Sequence, residues 1–146
     1  MTRYFDASAL VKRYVTEAGS VAVRRLMREP VATSRLSEVE TASALARLAR
    51  EGAMSAAERD RALERLTEDF QGFWVVETTR EVVALARTLL LEHPLRAGDA
   101  LQLASCAYLR RELSENMPMV VFDERLLDAA LANGIPVIPT PRNSRV

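Results

Sequence analysis

The chain has 146 residues, enough for one domain with its own hydrophobic core but too few for two ordinary domains. Hydrophobic residues make up 49% of it, which excludes a disordered chain, and 20 basic residues balance 20 acidic ones, so net charge gives no indication of nucleic-acid binding. A single cysteine, Cys106, excludes an intramolecular disulfide and a cysteine-built zinc site; with Trp74, it is expected in the core. No apolar run approaches the ~20 residues of a membrane span, so we expect a cytoplasmic protein.

Short apolar runs typical of strands alternate along the chain with segments of helical periodicity. The predicted strands are residues 3–5, 31–34, 73–77, 119–122 and a short edge strand at 136–138. The predicted helices are residues 8–14, 20–29, 37–51, 55–72, 79–91, 98–113 and 124–132, with N-caps at Ser20, Ser37, Ser55 and Thr79. Strands that alternate with helices and are apolar on both faces indicate a parallel sheet covered by helices. We predict one domain over residues 1–138 and a C-terminal tail at 139–146.

Four acidic residues are predicted to meet at the carboxyl edge of this sheet, where ligands bind in open α/β folds. Asp6 and Asp123 each follow directly after a strand, and Glu40 stands in the first turn of the helix after the second strand. Asp99 opens the helix that leads into the fourth strand, and that helix must end at the opposite edge. The linker at residues 92–98 must return the chain to the carboxyl edge, either fully stretched or because the preceding helix is tilted.

Each of these acids also has a purely structural interpretation. Asp6, Asp99 and Asp123 stand where Asp is an ordinary N-cap, and Ser37 with Glu40 fits a capping box. Their convergence favours a different interpretation, because like charges ~4 Å apart repel by about 4 kcal/mol per pair at an effective dielectric near 20. A set made only of acids is unfavourable without a metal ion, and oxygen ligands suit Mg²⁺ or Mn²⁺ rather than zinc.

Glu38 competes with Glu40 for a place in this site. On a helical wheel the apolar face is formed by residues such as Val39, Ala42 and Leu45, and Glu38 lies nearer to it than Glu40. Periodicity alone therefore does not choose Glu40.

Four stretches carry a family resemblance. They are YFDASALVK at 4–12, ATS at 32–34 with EVETASAL at 38–45, LRAGDALQLA at 95–104 and VVFDERL at 120–126. In this order and spacing, from about residue 3 to residue 138, the chain resembles a PIN-domain protein, in particular the VapC toxins of bacterial and archaeal toxin–antitoxin pairs.

The resemblance implies a three-layer α/β/α sandwich with a central parallel sheet and a metal-dependent ribonuclease. Asp6, Glu40, Asp99 and Asp123 take the family's acidic positions, so the resemblance selects Glu40 over Glu38. Ser8 takes the hydroxyl position that supports the first Asp. The chain departs from the family at Val121, where a Thr is frequent, which puts in doubt a hydroxyl contact near the last Asp.

The mechanism that the resemblance implies is metal-assisted hydrolysis of a phosphodiester. Mg²⁺ or Mn²⁺ is expected on Asp6, Asp99 and Asp123, and Glu40 either binds metal or acts as a base towards the attacking water. Four basic residues near the rim are candidates for phosphate contacts, although for each of them a solvated helix surface is the simpler interpretation: Lys12, Arg13, Arg96 and Arg125. The helices between residues 37 and 70 carry surplus apolar positions; in relatives such helices build a homodimer and an antitoxin-binding groove.

Other functions fit the sequence less well. A haloacid-dehalogenase-type phosphatase needs a second Asp where Ser8 stands, and a response-regulator receiver needs a paired acid beside Asp6 and a phospho-acceptor after the third strand. A PIN fold that binds RNA or protein without cutting stays as the alternative, and metal titration discriminates between it and a nuclease.

Overall fold

Five parallel strands form the sheet in the computed structural model, which describes residues 1–139. The strands are β1 (Arg3–Phe5), β2 (Val31–Ser34), β3 (Trp74–Val76), β4 (Met119–Val120) and β5 (Val137–Ile138). Their order is β3-β2-β1-β4-β5, and every neighbouring pair is parallel. The predicted parallel sheet is therefore confirmed, with the first strand at its centre.

Helices connect the strands and cover both faces of the sheet. They are α1 (Ala7–Leu10), which continues into a 3-10 turn (Val11–Arg13), α2 (Ser20–Leu26), α3 (Arg35–Arg50), α4 (Ala56–Gly72), α5 (Arg80–Glu92), α6 (Ala97–Leu113) and α7 (Glu124–Ala132). Successive strand residues point to opposite faces, so Tyr4 packs with α5, α6 and α7 while Phe5 packs with α1, α2 and α4. This is the predicted three-layer α/β/α sandwich.

The start of α3 differs from the prediction. The helix begins at Arg35, directly after β2, and its N-cap is Ser34, whose hydroxyl accepts the backbone N–H of Leu36 at 3.1 Å. Ser37 is therefore inside the helix, and the predicted capping box with Glu40 is wrong. Ser37 is fully buried, and its hydroxyl is hydrogen-bonded to the side chains of Thr33 and Gln102. The local sequence does not indicate these partners.

The N-cap of α2 is also corrected. Gly19, with a φ of 92°, precedes the helix, and Ser20 is its first residue. The Ser20 hydroxyl accepts the backbone N–H of Glu17 and donates to the carbonyl of Val15, both at 2.9 Å, so it closes the preceding loop instead of capping the helix.

The chain returns between α5 and α6 through a short linker that contains a tight turn, in which the backbone N–H of Leu95 donates to the carbonyl of His93 at 2.9 Å. His93, at the end of α5, lies 3.0 Å from the Asn133 side chain at the far end of α7. His93 and Arg96 both have extended dihedral angles, and α6 then begins beside Glu40, against which Gly98 packs. The linker is therefore not fully stretched, and it brings the start of α6 back to the carboxyl edge.

Burial agrees with the core predictions at Cys106 and disagrees at Trp74. Cys106 is fully buried, and so is Val121, at the position where the family often has Thr. Trp74 is 55% exposed because it begins the edge strand β3, which pairs with a strand on one side only. The predicted C-terminal tail lies outside the described residues from position 140 onwards. Within residues 1–139, no helix is long and apolar enough to cross a membrane.

The N-terminus of α4 provides a test of local stability. Ser55 and Glu58 form the reciprocal hydrogen bonds of a capping box, at 3.0 and 3.3 Å, as the predicted cap at Ser55 requires. Ser55→Ala removes this acceptor and is expected to lower the free energy of unfolding by about 1 kcal/mol and the Tm by a few degrees. Thermal unfolding followed by circular dichroism measures the change.

Ser43→Ala is the matched control, because Ser43 is exposed in the middle of α3, where Ala is the better helix former. An equal fall in Tm for both variants would contradict a role for the capping box.

Candidate active site

Asp6 lies at the carboxyl end of the central strand, where the chain turns directly into α1. Its Oδ1 atom accepts the backbone N–H of Ala9 at 2.9 Å and so caps the helix. The Ser8 hydroxyl lies 2.9 Å from Oδ1 and 2.8 Å from Oδ2 and donates to the carboxylate. Only 4% of Asp6 is exposed. Asp6 is therefore a buried carboxylate whose hydrogen-bond donors within residues 1–139 are neutral.

The electrostatic environment of Asp6 is unfavourable to its charge. Burial raises the pKa of Asp6 from 3.8 to about 7, and the nearby Glu40 carboxylate adds to the rise. Among residues 1–139, no ion pair involves Asp6 or Glu40. A buried carboxylate beside a second one is stabilised either by taking up a proton or by a bound cation.

Glu40 and Glu38 point to different surroundings. The Oε1 atom of Glu40 accepts the side-chain N–H of Gln102 at 2.9 Å, and its Oε2 atom packs against Gly98, both on α6. Glu38 instead forms an exposed ion pair with Arg35, at 2.6 Å. The geometry therefore places Glu40, and not Glu38, beside Asp6 and the start of α6.

Asp99 and Asp123 form a second acidic pair. Asp99 stands in the first turn of α6, and Asp123 caps α7 by accepting the backbone N–H of Leu126 at 3.0 Å. Partial burial raises the pKa of Asp99, and the charge of Asp123 raises it further. The exposed Arg96 and Arg125 oppose this rise, which places both guanidinium groups within electrostatic range of the pair.

The four predicted acids thus stand at one edge of the sheet in two pairs, Asp6 with Glu40 and Asp99 with Asp123. Asp6 and Asp123 follow β1 and β4, which are neighbours in the sheet. Within residues 1–139, no three His, Cys, Asp or Glu side chains lie together as a ready-made metal site. The pairing favours cation binding by its charge and oxygen chemistry, and the metal-ligand role of the four acids stays a prediction.

Two of the predicted RNA-binding cations have partners within the protein. The Lys12 ammonium contacts Glu17 at 3.2 Å and the carbonyl of Ala18 at 2.7 Å. Arg13 forms a two-pronged ion pair with Asp69, at 2.6 and 3.3 Å, which ties the turn after α1 to α4. Arg13 therefore has a structural role, and its contact with RNA stays a prediction.

A groove of about 370 Å³ opens beside the first acidic pair. Its wall combines apolar and basic side chains with residues of the acidic site, including Ser8, Lys12, Glu40, Arg47, Leu48 and Phe122. Such a lining offers apolar surface for a base, while its basic residues Lys12 and Arg47 are balanced by Glu17 and Glu40.

Gln102 and Gly98 also belong to this site, although neither was predicted from the sequence. Gln102 is 2% exposed and contacts Glu40, and it occupies a buried position of α6 that would ordinarily be apolar. The signal that could have found it is a polar residue inside the run Ala100-Leu101-Gln102-Leu103-Ala104, one helical turn after Asp99.

The chain is similar to known proteins in both sequence and fold. The sequence model of the PIN domain family matches residues 3–132. Ribonuclease VapC45 of Mycobacterium tuberculosis is 35% identical over 93% of this chain and 94% of its own. A toxin–antitoxin complex from Klebsiella pneumoniae superposes with a TM-score of 0.62 at 18% identity, over 93% of this chain and 95% of that chain. The crystal structure of VapC20 from Mycobacterium tuberculosis, a toxin that cleaves the sarcin–ricin loop, gives a TM-score of 0.64 at 19% identity, over 88% of this chain and 95% of that one.

The two structural matches show the fold alone, because their sequence identities are low. The sequence matches show the family, since the family model spans residues 3–132 and the relative is 35% identical over 93% of this chain. The chain therefore belongs to the PIN domain family.

Proposed function

We propose that the protein is a metal-dependent endoribonuclease that hydrolyses RNA phosphodiester bonds and acts as the toxin of a toxin–antitoxin pair. The name and the 35% identity of Ribonuclease VapC45, over nearly the full length of both chains, support the activity. The observation that carries the proposal is the buried Asp6 carboxylate, which lies beside Glu40 and has no cationic partner among residues 1–139. Such a site is suited to a divalent cation. A helix cap alone would not require a negative charge at Asp6, because neutral residues such as Ser or Asn cap helices equally well.

The residues present fit Mg²⁺ or Mn²⁺ by their donor chemistry. All four acids offer hard oxygen ligands, and the Ser8 hydroxyl and the Ala9 N–H already hold the Asp6 carboxylate in place. Asp6, Asp99 and Asp123 would hold the ion. Such an ion supplies Lewis-acid charge that neutralises the scissile phosphate and makes water a better nucleophile.

The protein's own residues then position the RNA and deprotonate the attacking water. Glu40, held against α6, either adds a further ligand or takes the proton of the attacking water. The groove beside Glu40 holds the neighbouring nucleotides, and Arg96 and Arg125 face phosphates on the side of the second acidic pair. In-line attack leaves a 5′-phosphate on one product and a 3′-hydroxyl on the other, as the family resemblance implies.

The proposed partners are RNA, a cognate antitoxin protein and a second copy of the chain. The structural neighbour from Klebsiella pneumoniae is a toxin–antitoxin complex, which supports an antitoxin as a partner. A toxin that cleaves RNA would act in the cytoplasm, where its substrate is. A PIN fold that binds RNA without cutting would keep the partners but lack metal-dependent cleavage.

The Asp6→Asn variant tests the catalytic proposal. It keeps an oxygen for the helix cap but removes the charge, and we expect RNA cleavage with Mg²⁺ or Mn²⁺ to fall by about 10²–10³-fold or more. Gel analysis of labelled RNA measures the rate. Asp60→Asn is the matched control, because Asp60 is exposed on α4, where it pairs with its neighbour Arg59. Full metal-dependent activity of Asp6→Asn would remove the site from the mechanism.

Stability against pH tests the state of Asp6 without metal. Because its pKa is about 7 when folded and 3.8 ordinarily, the folded protein binds this proton more tightly than the unfolded chain. In EDTA the free energy of unfolding should therefore fall as the pH rises from about 4 to about 7. A rise in pKa of this size corresponds to roughly 4 kcal/mol, or on the order of 10 °C in Tm.

The comparison is made between wild type and Asp6→Asn, which lacks this proton. At pH near 8 in EDTA the variant should have the higher Tm, and added Mn²⁺ should raise the Tm of the wild type only. Parallel pH profiles for the two proteins would contradict the buried, cation-free carboxylate.

The basic residues beside the second acidic pair are tested by RNA binding. In an Asp6→Asn background, Arg96→Ala with Arg125→Ala should weaken binding to single-stranded RNA and reduce the slope of log affinity against log salt by about 0.7 for each phosphate that is no longer neutralised. Fluorescence anisotropy at several salt concentrations measures both quantities. Arg111→Ala, exposed in the last turn of α6, should change neither. An unchanged slope for the double variant would argue against phosphate contacts there.

A further inference from the structure

Gln102 is the centre of a buried hydrogen-bond network beneath the acidic site. The Tyr4 hydroxyl donates to Gln102 Oε1 at 2.6 Å. Gln102 Nε2 donates to Ser37 Oγ and to Glu40 Oε1, both at 2.9 Å. Tyr4 and Ser37 are fully buried and Gln102 is 2% exposed, so the bonds among these three residues are shielded from bulk water.

The network has one consistent direction. Thr33 Oγ1 lies 2.7 Å from the carbonyl of Phe5 and 2.8 Å from Ser37 Oγ. A hydroxyl has a single hydrogen, so Thr33 donates to the carbonyl, Ser37 donates to Thr33, and Ser37 must accept from Gln102. The buried Tyr4 phenol donates its single hydrogen to Gln102 Oε1, which fixes the amide with its nitrogen towards Ser37 and Glu40. Turning the Gln102 amide over would place its oxygen against the Glu40 carboxylate.

The second oxygen of Glu40 is confined by the same helix. A Cβ atom added at Gly98 would lie 3.3 Å from Glu40 Oε2, so the absence of a side chain lets α6 approach this closely. Gly98 and Gln102 are separated by one helical turn and therefore share a face of α6. One face of α6 thus contacts both oxygens of Glu40, while Asp99 stands in its first turn.

We propose that Gln102 is a positioning residue for Glu40: its side-chain amide, anchored by Tyr4 and Ser37, holds the Glu40 carboxylate against Gly98 and fixes it relative to Asp99. The proposal rests on the proposed ribonuclease function for its consequence, but its geometry belongs to the residues alone. Groups that orient metal-site or catalytic carboxylates typically affect metal affinity or activity by 10–100-fold when they are removed. Gln102 is buried behind Glu40, so the role proposed for it is exerted through Glu40.

Gln102→Leu tests the proposal, because Leu is of similar size but offers no donor or acceptor. We expect kcat for RNA cleavage to fall by about 10–100-fold while KM stays within about twofold. Mn²⁺ binding to the RNA-free protein, measured by isothermal titration calorimetry, should weaken by a factor in the same range. Tyr4→Phe leaves the amide in contact with Glu40 but removes its anchor, and it should give a smaller loss of kcat.

Leu109→Ala is the control for a general loss of stability. Leu109 is buried at the other end of α6 and does not contact Glu40. The substitution should lower the Tm and leave kcat and Mn²⁺ affinity unchanged at temperatures where the variant is folded. If Leu109→Ala lowers kcat as much as Gln102→Leu at equal Tm, the amide is merely structural and the proposal fails.

Gly98→Ala keeps the test decisive should Gln102→Leu fail to fold. Ala favours a helix over Gly, so the variant is expected to fold at least as stably as the wild type, but its methyl group displaces Glu40. A several-fold lower kcat at an equal or higher Tm supports the positioning role. The proposal is overturned if Gly98→Ala keeps the kcat and Mn²⁺ affinity of the wild type and the amide variant that folds, Gln102→Leu or Tyr4→Phe, keeps them as well.

Failure of the proposed function gives a different result. If the wild type shows no metal-dependent cleavage, the ribonuclease proposal fails, whatever the variants do. If the wild type cleaves and Asp6→Asn does not, but Gln102→Leu equals the wild type, only the positioning role of Gln102 is lost.

Discussion

The structure depends on the burial of one carboxylate at the end of the central strand. β1 is flanked by β2 and β4, and helices cover both of its faces by packing on Tyr4 on one side and on Phe5 on the other, so the next residue has little access to solvent. Asp6 satisfies the first turn of α1 from this position, and its burial there raises its pKa to about 7. A neutral cap such as Ser or Asn would avoid the penalty of a buried charge. A bound cation would offset that penalty and so explain why the cap is a carboxylate.

Helix α6 joins the rest of the site to this carboxylate. The linker after α5 brings the first turn of α6 to the carboxyl edge, where Gly98 and Gln102 contact Glu40 and Asp99 pairs with Asp123. The remaining turns of α6 pack into the core on Tyr4 and its neighbours, so the acidic site and the core share one rigid element. Small changes in the packing of α6 would therefore displace both Asp99 and Glu40.

The sequence was informative wherever a position follows from strand order. Asp6 directly follows β1, and Asp123 stands three residues beyond the last residue of β4, which in a parallel sheet places both at the same edge. Tertiary contacts decided the rest. The pattern of α3 could not distinguish a capping serine from Ser37, which is buried in a network that joins β1, β2, α3 and α6, and it did not choose between Glu38 and Glu40. Gln102 was missed because its partners are distant in sequence, and local periodicity carries no information about them.

Cleavage of a labelled RNA by the wild-type protein, first in EDTA and then with Mg²⁺ or Mn²⁺ restored, tests the central claim most directly when the product ends are identified by mass spectrometry. We predict that no cleavage occurs in EDTA and that the metal restores it, with 5′-phosphate and 3′-hydroxyl ends. Cleavage that continues in EDTA, or that leaves 2′,3′-cyclic phosphate ends, would show that the four acids do not act through a metal ion.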